Sequence, residues 1–252
     1  MLATVRSIYR QSKKPQDNFW NNWVSRPPAA VVVWLLRPTP ITPNQVTFMS
    51  LAVFALAAGV LIGWRTHLGL VVGALVVQTS YVLDCVDGQL ARYKGLASPV
   101  GALLDFLMDE IKAFLLIAAA TVRLWLVSGQ VVWLLVGLGG LVAAATGITL
   151  TSFMRRPEYL AATAPASPLA VTGGGPMPPG PGNARRSPIA LAIAGIEQVG
   201  KFVVHYPSWF LYIAIANRLE WFVYIYLGAH ILYLGRSGLS VLVRLGRPQP
   251  RS

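Results

Sequence analysis

Residues 84–109 read Asp84-Cys-Val-Asp87-Gly88-Gln-Leu-Ala91-Arg92, then eight residues, then Gly101-Ala-Leu-Leu-Asp105-Phe-Leu-Met-Asp109. Four of the chain's five aspartates stand in these 26 residues, on a strongly apolar background. A carboxylate in such a setting is costly unless it is paired or bound to a metal. The spacing predicts two helices. Asp84 and Asp87 (i, i+3) share one face of the first, and Asp105 and Asp109 (i, i+4) one face of the second. Gly88 and Ala91 extend the first face with almost no side chain, so a ligand or a neighbouring helix can come close. Gly101 and Lys112 lie on the second face, one turn before and one turn after the pair. Two helices facing each other along these stripes bring four carboxylates to one point. Such an oxygen-only site suits a hard cation, magnesium or manganese, held against a phosphate. A single aspartate at a helix end is ordinarily a cap or a solvated charge. Four of them in register with two glycines, an alanine and an arginine fit that explanation poorly.

The composition says where these helices belong. Of 252 residues, 55% are hydrophobic and only 12% charged, and the mean hydropathy is +0.56. That excludes an ordinary soluble domain and describes a polytopic helical membrane protein with no room for a large soluble part. A net charge of +12 would point to nucleic acid in a soluble protein. Here the bases flank apolar runs, so anionic lipid, phosphate substrates and topology account for them, and no nucleic-acid partner is expected. Cys85 is the only cysteine. It reads as a small buried residue rather than a nucleophile, and no disulfide or cysteine metal site is available.

Residues 1–40 interleave Arg6, Arg10, Lys13, Lys14, Arg26 and Arg37 with Tyr9, Phe19, Trp20, Trp23 and Trp34. This suits a cytoplasmic arm with an interfacial amphipathic segment, the alternative being a disordered basic tail. No short apolar core follows Met1, so no cleavable signal peptide is expected. Thr42 followed by Pro43 reads as an N-cap with proline at the first helical position. Spans are expected at 46–64, 67–92, 99–127 and 131–154, with a tight turn at 128–130. Residues 157–187 are rich in proline and glycine and read as a flexible loop. A final span is expected at about 220–244, and a fifth is divided around Pro207. Basic loops alternate with weakly charged ones, giving six spans with both termini in the cytoplasm and the aspartates at the cytoplasmic face. The fold expected is therefore an all-α integral membrane protein. A single six-helix membrane domain (41–252) follows the N-terminal interfacial helix.

The pattern D-x2-D-G-x2-A-R-x8-G-x3-D-x3-D resembles the signature of the CDP-alcohol phosphotransferases (the CDP-alcohol phosphatidyltransferase family) at every defined position. The entry Thr42-Pro43-Asn44-x-x-Thr47 is also common in that family. The resemblance implies six transmembrane helices, a homodimer and a metal-dependent transferase of phospholipid biosynthesis in a bacterial inner (plasma) membrane. Such an enzyme takes a CDP-alcohol, usually CDP-diacylglycerol, and moves its phospho-alcohol part to a hydroxyl of a polar acceptor, releasing CMP. It further implies Asp84, Asp87 and Asp105 as ligands of two Mg²⁺ or Mn²⁺ ions, with Asp109 touching metal and acting as general base.

The remaining residues keep two readings each. Gly88, Ala91 and Gly101 leave space for the nucleotide. Arg92 meets a phosphate or braces an aspartate, unless it forms a structural salt bridge. Asn44 approaches the nucleotide or caps a helix. Lys112 binds an acceptor phosphate or carboxylate, or balances Glu110 or the aspartates. Arg155 and Arg156 bind acceptor or simply mark topology. The acceptor class stays open, with the D-x3-D-E-x-K ending leaning to an inositol-phosphate type of product. Two alternatives come from other classes. A small ion transporter would use the aspartates as its cation site, although they sit near one face rather than at the midplane. An intramembrane prenyltransferase would carry its two acidic motifs much farther apart.

Overall fold

The computed structural model describes residues 2–12, 20–163 and 205–245, and among them every regular element is helical. In chain order these are α1 (Leu2–Gln11), a π-helical turn (Asn21–Ser25), α2 (Arg26–Leu36), α3 (Pro43–Gly63), α4 (His67–Tyr93) and α5 (Pro99–Ser128). They are followed by α6 (Val132–Met154), α7 (Pro157–Thr163), a 3₁₀ turn (Tyr206–Ser208), α8 (Phe210–Ile215) and α9 (Leu219–Leu245). Four of these, α3 to α6, are long and apolar enough to cross a membrane. Their limits fall within a few residues of the expected spans.

The expected count of six is met only in part among the described residues. Around Pro207 there is a 3₁₀ turn and the six-residue α8, too short to span. Helix α9 is continuous over 27 residues, but Glu220, His230, Arg236 and Arg244 interrupt its apolar character. The segment 157–187 does not begin as a loop, because Pro157–Thr163 is helical. The rest of that expected loop lies outside the described residues.

Helix ends follow from local chemistry. Thr42 and Gln45 form a reciprocal capping box at the start of α3, with Pro43 in the first turn. Ser98 caps α5 through the Gly101 amide. Gly95, at φ 68°, ends α4: its own amide reaches the Arg92 carbonyl at 3.4 Å and the Leu96 amide reaches Ala91 at 2.8 Å. This is a Schellman closure, and it needs a left-handed residue that glycine supplies at little cost. The chain turns there, just after Arg92, and α5 starts a few residues later with its own aspartates.

The described residues fall into two compact units, one within Met1–Leu141 and Tyr206–Tyr224, the other within Val142–His205 and Ile225–Ser252. In the first, α3 packs along α4 and α5. Ser50 donates to the Ser80 carbonyl at 2.9 Å and Ser80 to the Ser50 carbonyl at 2.8 Å, so two small residues clasp α3 to α4. Helices α1 and α2 are seated on α4 through Ile8, Ala29, Ala30 and Val33 against Val86 and Leu90, with Val46 of α3. The Tyr81 hydroxyl donates to Asn21 at 2.6 Å, and the His67 ring nitrogen meets the Ala214 carbonyl at the end of α8 at 3.0 Å. In the second unit the Thr151 and Tyr233 hydroxyls are 2.7 Å apart, and the rings of Phe153 and Tyr159 pack 5.0 Å apart.

Arg123 is a charge within an expected span, and it is buried. Its guanidinium donates to the carbonyls of Leu61 and Trp64, both at 2.7 Å, and of Thr66 at 2.6 Å. The first two are carbonyls freed at the end of α3 and in the turn to α4, while the Thr66 carbonyl also accepts from the Leu70 amide at 3.1 Å. One side chain of α5 therefore pins the α3–α4 hairpin. Arg123→Met is expected to lower stability by about 2–3 kcal/mol, read as an earlier thermal transition of the detergent-solubilised protein, while the aspartate site is left intact.

Candidate active site

The geometry of the motif is set by where α4 ends and α5 begins. Asp84 lies in the C-terminal half of α4, and Asp105 and Asp109 in the N-terminal half of α5. One carboxylate oxygen from each of the three falls within 4.8 Å of the others. Asp109 is the open member at 54% exposure, against 14% for Asp84. The structure thus brings together three of the four aspartates. Asp87 is buried and turned to α3, where the Thr47 hydroxyl donates to its Oδ2 at 2.6 Å.

Lys112 completes the cluster. It is 2% exposed, pairs with Asp84 across the two helices, and reaches Asp109 at 3.3 Å. Of its two sequence readings, charge balance at the aspartates is the one observed. Its stem starts one turn deeper in α5 than Asp109 and its ammonium runs back to the carboxylates, as long cationic side chains do in apolar surroundings.

The other motif residues frame this cluster. An added Cβ on Gly88 would meet the Arg92 guanidinium at 3.4 Å, so the arginine folds over the glycine. Arg92 Nε donates to the Ser12 carbonyl at 2.7 Å, which ties the motif to the end of α1. Ala91 is half-buried beside it and closes the helix through its carbonyl. Asn44 is exposed in the first turn of α3, its Oδ1 3.6 Å from where a Cβ on Gly101 would sit. The starts of α3 and α5 therefore come together at Gly101, at ordinary contact distance. Arg155 and Arg156 are exposed at the end of α6, within the second compact unit.

Two contacts were not foreseen. Thr47 appeared only as part of a short helix-entry pattern, and nothing in its spacing announced Asp87 as its partner. Ser12 carried no signal at all, since its contribution is a backbone carbonyl.

The donor set fits a divalent cation. All three converging groups are carboxylates, and their 4.8 Å limit is close to the roughly 4.2 Å across an octahedral magnesium shell. A monovalent stand-in, the Lys112 ammonium, already lies between two of them.

A protein-family model described as CDP-alcohol phosphatidyltransferase matches residues 40–196, more than half of the chain. The chain belongs to that family. The matched region takes in α3, α4, α5 and α6 and every residue of the aspartate motif. Among curated proteins, the chain is similar to a "Bifunctional IPC transferase and DIPP synthase" of Rubrobacter xylanophilus, 44% identical over 75 residues, 30% of this chain and 16% of that protein. It is also similar to an "Archaetidylinositol phosphate synthase" of Aeropyrum pernix, 37% identical over 81 residues, 32% of this chain and 39% of that protein. The matches thus span well under half of either relative. For this CDP-alcohol phosphatidyltransferase homologue, Thr47→Val removes the donor to a buried carboxylate with little change in side-chain size. It is expected to lower stability by about 1–3 kcal/mol, read as an earlier thermal transition of the detergent-solubilised protein.

Proposed function

We propose that this protein is a membrane transferase that moves a phospho-alcohol group from a CDP-alcohol, such as CDP-diacylglycerol, to a hydroxyl of a polar acceptor. The observation that carries this reading is the convergence of Asp84, Asp105 and Asp109 where α4 and α5 meet, in a chain of this family. Family membership also speaks against an ion-transport role for the same carboxylates.

The chemistry follows from the residues. The acceptor oxygen attacks the phosphorus that carries the alcohol, and the bond from that phosphorus to the oxygen of CMP breaks. CMP leaves with the electron pair, and the acceptor proton passes to a base. Asp109 takes that role because it is the most exposed of the three and still touches the cluster. Asp84 and Asp105, with Asp87 behind them, hold the divalent cation. Mg²⁺ or Mn²⁺, when bound there, neutralises the pyrophosphate and the charge that develops on the leaving group. Gly88 and Ala91 keep the floor of the site low, and Gly101 with Asn44 bounds it on the α3 side. Arg92 is the remaining candidate for a phosphate group of the donor.

The alternation of basic loops supports six spans, with an N-terminal interfacial helix, both termini and the site at the cytoplasmic face. The resemblance supports a homodimer in a bacterial plasma membrane. A second reading, that the product is an inositol-phosphate type of phosphodiester, is favoured by the name of the Aeropyrum pernix relative.

The test is CMP release by the purified chain in detergent with CDP-diacylglycerol, Mg²⁺ or Mn²⁺, and acceptors offered singly, inositol phosphate among them. Metal-dependent release is expected, with a loss of at least about a hundredfold in Asp109→Asn. Neither release nor binding of CDP-diacylglycerol or CMP under any of these conditions would overturn the reading.

A further inference from the structure

The lysine inside the cluster is more than a local ion pair. A structural pair matches one cation to one carboxylate. Here a single ammonium is divided between Asp84 and Asp109, with Asp105 within the same 4.8 Å group. Lys112 is thus an ammonium shared by two of the three converging carboxylates. Lys112 also sits where a metal must compete for the same carboxylates. An ammonium in place screens them and lowers their pull on an incoming divalent cation.

We propose that Lys112 is a built-in counter-ion that competes with the divalent cation for Asp84 and Asp109. It thereby keeps metal affinity low until the phosphates of the nucleotide add their own ligands. The inference rests on the metal-dependent reading of the site and deepens it: Lys112 is a positioning residue that couples metal binding to nucleotide binding. Its burial supports this role. With 2% of the side chain exposed, the ammonium is shielded from water in the resting site and stays with the carboxylates. A cation entering with extra phosphate oxygens brings the ligands that allow the exchange, whereas a bare cation must displace the lysine unaided.

The experiment is Mn²⁺ binding to the purified full chain in detergent, read as loss of the free-ion EPR signal, with and without CMP. Wild type, Lys112→Met and Lys112→Arg are compared, and size-exclusion and thermal melting confirm that each is folded. Without nucleotide, Lys112→Met is expected to bind Mn²⁺ at least about fivefold more tightly than wild type. CMP should tighten binding by wild type and add less in the methionine variant. Lys112→Arg, which keeps the charge, should stay within about twofold of wild type. Unchanged or weaker Mn²⁺ binding by folded Lys112→Met overturns the inference while leaving the metal site standing, as does equally tight binding by Lys112→Arg. Should Lys112→Met not accumulate, Lys112→Gln makes the same comparison. No Mn²⁺ binding by wild type, with or without CMP, brings down the metal-dependent reading and this inference with it.

Discussion

Placing four carboxylates in an apolar helical protein is the constraint on which the rest depends. Each must be answered by a charge, a hydrogen bond or a cation, and the answers come from different helices. Lys112 of α5 answers Asp84 of α4 and Asp109. Thr47 of α3 answers Asp87. These contacts require α3, α4 and α5 to meet at one end, while Arg123 gathers the same three helices at the other end. The serine clasp between Ser50 and Ser80 lies between the two. The bundle is thus pinned by polar contacts at three levels. That is a sensible economy where apolar packing alone gives little drive for helices to associate.

The N-terminal arm has a larger part than its composition implies. Ser12, Arg26 and Gln89 are buried together. The Ser12 hydroxyl lies 3.3 Å from Gln89 Oε1, the Gln89 amide donates to the Arg26 carbonyl at 3.1 Å, and the Ser12 carbonyl accepts from Arg92 at 2.7 Å. Thus Gln89 and Arg92 of α4 face the arm, while Asp87 faces α3 and Asp84 faces α5. The arginine that folds over Gly88 is held from behind by a backbone carbonyl. A change in α1 therefore has a physical route to the floor of the site without touching a ligand.

Division of labour within the chain also explains why donor chemistry is easier to read than acceptor chemistry. The groups suited to a cation and a pyrophosphate are confined to two consecutive helices and one short loop. Arg155 and Arg156 stand at the end of α6 in the second compact unit, remote in sequence from the motif. Their basic character serves topology and phosphate binding equally well, so charge alone does not separate the two.

Much of this was legible in the residues. The four long apolar helices, the proline and threonine starts, the turn at Gly129 and the common helix face of Asp105 and Asp109 all follow from local rules: hydrophobic length, capping chemistry and helical period. These depend on residues a few positions apart, which is why the sequence by itself determined them. Tertiary structure alone decided that Asp87 turns to Thr47, that Lys112 sits between Asp84 and Asp109, that Arg92 reaches Ser12, and that the segment around Pro207 yields a turn and a short helix. Periodicity states which face a side chain occupies, but not how far away the opposite helix lies or which atom it presents. A carboxylate chooses between a hydroxyl, an ammonium and a shared cluster over differences of an ångström or two, and those distances are set only when the helices pack.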